Sequence, residues 1–145
     1  MPDNLKAILE QNGIKLRRSI AVFLAIAENA PVYDLLYVYT ASELEKFDAL
    51  TGRFLRVYET AVQFFRTIDL FESIEKADTF RDLIHHACKL GWIQNEETWM
   101  EMRIVRNKIT HDYLPEQFSE MYAIICNAFT KEIIYLNSKL KEEGL

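Results

Sequence analysis

The chain has 145 residues, half of them hydrophobic, with only 4 Gly and 3 Pro and a formal net charge of −5. That size is one domain with a real core, and the composition excludes both disorder and a turn-rich all-β fold. The mild acidity argues against a broad basic surface that coats nucleic acid, though not against a small basic pocket.

Met1-Pro2-Asp3-Asn4 has no basic region leading into an apolar core, so no signal peptide is expected. The longest apolar run, Ile20 to Ala27, is too short to span a bilayer. The expectation is a cytoplasmic protein with no membrane partner. Cys88 and Cys126 are isolated, without metal-ligand spacing, and read as buried reduced thiols.

Residues 4–29 read as helix with a weak point at Asn12-Gly13. Leu5, Ile8 and Leu9 precede that point, and Leu16, Ile20, Phe23, Leu24 and Ala27 follow it at helical spacing. Lys15, Arg17 and Arg18 form a small basic cluster that reads as solvated helix face. Ala30-Pro31 ends the segment. The aromatic stretch 31–40 reads as a connector packed on the bundle, with Tyr33, Tyr37 and Tyr39 packing rather than forming a stacking platform.

Thr40 or Ser42, with Glu43 or Glu45 three residues later, has capping-box spacing. Leu44, Phe47, Leu50, Phe54, Tyr58, Ala61, Phe65 and Ile68 then predict a long amphipathic helix ending near Glu72. A shorter helix is predicted over 79–90, capped by Asp78 and closed by Gly91. Its adjacent His85 and His86 point about 100° apart and cannot chelate one metal as an i, i+4 pair would. Trp92 and Trp99 read as core anchors around the Gly91 turn.

Asn95 opens a helix predicted over 95–113, and Pro115 opens another to Lys141, with Phe118, Tyr122, Ile125, Phe129, Ile133, Leu136 and Leu140 as its stripe. The tail after Lys141 is expected to fray. The expected fold is an all-α, mostly antiparallel bundle of four or five helices. It is one domain over 1–145, with 1–40 as a helical extension and 41–141 as the bundle core.

Helix 95–113 carries two stripes. Trp99, Met102, Val105, Ile109 and Tyr113 belong in the monomer core, while Met100, Ile104, Asn107 and His111 lie nearly opposite. A second apolar face points to a second copy of the chain, a homodimer. Arg106 and His111 are about 140° apart on a regular helix, so they converge only if the helix distorts or two copies pool them. His suits proton transfer, Arg stabilises charge on a phosphate, and Asn107 can orient either. Together they suit metal-independent cleavage of an RNA phosphodiester by its own 2′-OH. Cations near a helix end also arise simply as dipole partners.

Arg106-Asn-Lys-Ile-Thr-His111-Asp-Tyr113 resembles the RX4HXY motif of the HEPN superfamily, in its HepT-like branch. Arg53-Phe54, Tyr58-Glu59 and Ala61 resemble that family's early-helix pattern. Phe80 to Ile93, followed by Trp99-Met100, resembles the approach to the motif in proteins once named nucleotidyltransferase substrate-binding proteins. The likeness covers roughly residues 44 to 140.

This resemblance implies an all-α homodimer with a cleft at its interface and no cofactor. It implies a ribonuclease toxin of a type VII toxin–antitoxin module, with Arg106 and His111 as the catalytic pair and Asn107 in support. It further implies an MntA-like nucleotidyltransferase antitoxin that transfers AMP to Tyr113, while Glu59 matches a recurring acidic position that orients the cluster. The alternative expectation is a non-catalytic nucleotide-binding or substrate-binding partner subunit of a minimal nucleotidyltransferase.

Overall fold

Apolar side chains recurring every three or four residues from Phe47 to Ile68 build the helix against which most of the others pack. In the computed structural model, which describes residues 3–72, 75–111 and 113–145, this is α2, Ala41–Glu72. Its start is the capping box expected from the sequence. Glu43 N–H donates to Thr40 Oγ1 at 3.2 Å, and Thr40 N–H donates back to Glu43 Oε1 at 3.0 Å.

Helix α1, Asp3–Glu28, packs along α2 more extensively than any other pair of elements. Leu9, Leu16, Ile20 and Phe23 enter the same core as Phe54, Phe64 and Phe65 of α2. The expected weak point at Asn12-Gly13 is not a break, because long-range partners hold it in the helix. Asn12 is buried and donates to Thr67 Oγ1 at 2.9 Å. Leu145 and Phe64 pack over Gly13, at distances where a Cβ would make ordinary van der Waals contact, 3.5 Å and 3.7 Å.

The connector 29–40 contains no helix or strand, only a turn around Leu35 to Tyr37. Tyr33 and Tyr39 stack at 5.2 Å between ring centroids and pack on Phe47 of α2, each at 5.1 Å. Tyr122 Oη–H fixes the start of the connector by donating to Pro31 O at 2.6 Å.

Helix α3, Phe80–Lys89, is capped by Thr79 rather than Asp78: Thr79 Oγ1 accepts from Asp82 N–H at 3.1 Å. Gly91 closes it at φ 87°, as a C-terminal glycine should. Helix α4, Glu96–Ile109, starts at Asn95, whose Oδ1 accepts from Thr98 N–H at 3.1 Å. Trp92 packs edge-on against Phe64 and Trp99 against Phe65, so both tryptophans anchor the core.

The last helix is continuous but not uniform. Helix α5, Pro115–Ile124, passes through a π-helical segment, Ile125–Phe129, into α6, Thr130–Glu142. The inserted turn is held by side chains that take up loosened carbonyls. Thr130 Oγ1–H donates to Ile125 O and Asn127 Nδ2–H to Ala123 O, each at 2.7 Å. All seven residues of the predicted stripe, Phe118 to Leu140, are buried. The tail does not fray. Gly144 at φ 71° turns the chain, Leu145 N–H donates to Leu140 O at 2.9 Å, and Leu145 packs on the core. The chain is all-α, with no strand among the described residues.

Candidate functional site

Three elements form a cleft of about 880 Å3. On α2, Glu59, Val62, Gln63, Arg66 and Leu70 recur at steps of three and four and line one wall with Tyr58 and Asp69. On α4, Arg103, Arg106 and Asn107 share a face by the same spacing and line the facing wall. Lys76 to Thr79, with Phe80 and Leu83 of α3, complete the rim.

The cleft gathers four cations, Arg66, Lys76, Arg103 and Arg106, and three carboxylates, Glu59, Asp69 and Asp78. Arg106 donates from Nη1 to Asn107 Oδ1 at 3.3 Å, and its Nη2 stands 4.0 Å from Glu59 Oε1. Both members of that ion pair are largely exposed, so it holds orientation more than energy. Arg103 lays its guanidinium over the Phe80 ring, 4.7 Å from the centroid. Among the described residues, no carboxylate lies within salt-bridge distance of Arg66, Lys76 or Arg103. Burial raises the Tyr58 phenol above its ordinary pKa, against the pull of Arg103, Arg106 and Arg66.

Asp69 ties the rim together. It is buried on α2, with Oδ2 accepting from Ala77 N–H at 2.8 Å and Oδ1 standing 2.7 Å from His86 Nδ1 on α3. One carboxylate thereby sets the loop edge of the cleft relative to both helices. His85 pairs instead with Glu96 at 3.0 Å, so the adjacent histidines diverge as expected. Among the described residues, no three or more His, Cys, Asp and Glu side chains gather as a metal site.

The Arg–His–Tyr motif does not stay together. The expected helix 95–113 ends at Ile109, where Thr110 Oγ1–H donates to Asn107 O at 2.9 Å and His111 N–H to Lys108 O at 3.0 Å. Asn107 and His111 therefore do not share a regular helical face, as the spacing had predicted. His111 is exposed and lies outside the cleft lining. Asp112 lies outside the described residues.

Tyr113 leaves the α4 stripe altogether. It stacks on Phe118 of α5, ring centroids 5.7 Å apart and planes 21° apart, with 37% of its surface exposed. Burial, then the charges of Asp48 and Tyr33, raises its phenol above the ordinary value. The second stripe of α4 is partly as predicted: Met100 is half-buried, and Ile104 is 54% exposed.

Of the sequence-predicted site residues, Arg106, Asn107 and Glu59 come together, and His111 and Tyr113 do not join them. Arg66, Lys76 and Arg103 were not foreseen. The signal for Arg66 and Arg103 was spacing, seven residues after Glu59 and three before Arg106.

A family model described as nucleotidyltransferase substrate binding protein like matches residues 9–142. No curated protein matches the chain. No helix among the described residues is long and apolar enough to cross a membrane.

Proposed function

The chain belongs to the nucleotidyltransferase substrate binding protein-like family, and on that premise we propose that its cleft holds a phosphate-bearing nucleotide for a partner nucleotidyltransferase. One observation carries this reading. A chain of net charge −5 brings Arg66, Lys76, Arg103 and Arg106 to a single cleft, where they outnumber its carboxylates Glu59, Asp69 and Asp78. Guanidinium forks match phosphate oxygens, and Lys76 adds a point charge at the rim. The amides of Gln63 and Asn107 can bond the edge of the base or the ribose, beside the Phe80 ring that Arg103 covers.

In this role the chain itself performs no bond cleavage. It binds and orients the nucleotide, and the partner supplies the transfer step. Titration calorimetry with ATP tests the reading. Saturable binding with a component that the pair Arg103→Gln/Arg106→Gln removes supports it, and no binding at millimolar ATP contradicts it.

A second reading is a metal-independent endoribonuclease toxin, and the exposed Ile104 beside Met100 favours it. A second copy laid over that face of α4 would cover the apolar surface and bring the His111 of one copy toward the Arg106 of the other. There His111 would transfer protons and Arg106 would stabilise the phosphorane charge. Tyr113, exposed beyond the helix end, would accept AMP from the nucleotidyltransferase and silence the site. Labelled RNA incubated with the chain in EDTA tests this. Cleavage that His111→Ala removes supports the toxin, and intact RNA with a well-formed dimer overturns it.

A further inference from the structure

A second cavity, of about 400 Å3, lies between α1 and α6. Ile14, Arg17, Arg18 and Ala21 of α1 line it, facing Asn137 and Lys141 of α6. Each set is a single helical stripe, since its members recur at three and four residues. The neighbouring positions Leu16, Ile20, Leu136 and Leu140 are buried in the common core and fix the two stripes against each other.

Three cations therefore converge on one groove, and no carboxylate is among its lining residues. Among the described residues, Arg17, Arg18 and Lys141 form no ion pair, and the half-buried Asn137 carboxamide makes no hydrogen bond. Like charges repel, and a groove with low-dielectric walls focuses their potential. Lys141 by itself suits the carboxyl end of α6, where the helix dipole favours cations. Arg17 and Arg18 sit in the middle of α1, far from either end, so the dipole does not account for them.

We propose that this groove is a second anion site, which takes a phosphate group and is separate from the cleft of α2 and α4. The two guanidinium forks and Nζ of Lys141 hold the phosphate oxygens, Asn137 donates from its amide, and Ile14 and Ala21 contact the sugar. The same chemistry is presented by a free nucleotide and by an RNA backbone.

The test uses the whole chain and two probes, ATP by calorimetry and fluorescein-labelled oligouridine by anisotropy. The variants are the triple Arg17→Gln/Arg18→Gln/Lys141→Gln, each single substitution, and the cleft pair Arg66→Gln/Arg103→Gln. The triple variant should lose at least about tenfold in affinity for one probe, and the wild-type affinity should fall with salt. The single variants replace exposed side chains and keep the fold, and each should lose roughly threefold. The cleft pair should leave this component intact. Loss confined to oligouridine identifies an RNA backbone, and loss confined to ATP identifies a nucleotide. Wild-type binding of both probes by the single variants and the triple, or loss of all binding in the cleft pair alone, overturns the proposal.

Discussion

Arg106 Nη1 donates to Asn107 Oδ1 at 3.3 Å, so adjacent residues of α4 present a guanidinium and an amide to the same cleft. Removing the guanidinium should cost nucleotide affinity without unfolding the chain, because among the described residues Arg106 pairs with the exposed Glu59 and with its neighbour. Arg106→Gln should weaken ATP binding by about tenfold, or roughly 1.4 kcal/mol, in calorimetry. Its thermal midpoint should match that of the wild type. Arg106→Lys should recover only part of the loss, since a point charge cannot replace a fork.

The α3–α4 corner rests on one buried carboxylate. Glu132 Oε1 accepts from Gln94 N–H and Asn95 N–H, each at 2.8 Å, and from Trp99 Nε1–H at 3.3 Å. Glu132→Ala leaves three donors without this acceptor and should destabilise the chain by about 3 kcal/mol. Glu132→Gln keeps an acceptor oxygen and should cost about 1 kcal/mol. Urea denaturation at constant slope measures both.

Alkaline pH should weaken the fold through its tyrosines. Burial, aided by Cys126, raises the Tyr122 phenol well above the ordinary tyrosine value, and burial also raises the Tyr58 and Tyr113 phenols. Below pH about 10 the phenols are protonated in both states and their stabilising effect is fully present. As pH rises further the unfolded chain ionises first, so this stability is lost on the way up to the folded pKa. Tyr122→Phe should flatten the alkaline limb of a stability-versus-pH curve. At neutral pH it should cost about 1 kcal/mol for the lost bond to Pro31 O.

Local signals carried most of the fold. The Thr40–Glu43 box and the stripes of α2 and of the last helix are readable because cap and period lie within a few residues of each other. What escaped depends on distant partners. Asn12-Gly13 looks like a breaker until Thr67 and Leu145 are in place. The π-helical segment Ile125–Phe129 is hidden by a stripe whose steps remain three and four. The spacing already set Arg106 and His111 about 140° apart on a regular helix, but it did not show that α4 ends at Ile109 or that Tyr113 leaves its stripe to stack on Phe118 of α5. The cleft cations come from α2, α4 and the loop between α2 and α3, a convergence no single stretch encodes.

The most direct measurement is a calorimetric titration of ATP into the wild-type chain, Arg103→Gln/Arg106→Gln and His111→Ala. Substrate holding by the cleft predicts saturable binding in the wild type, loss in the arginine pair, and wild-type affinity in His111→Ala. No binding to the wild type, or binding that His111→Ala abolishes while the arginine pair retains it, would contradict it.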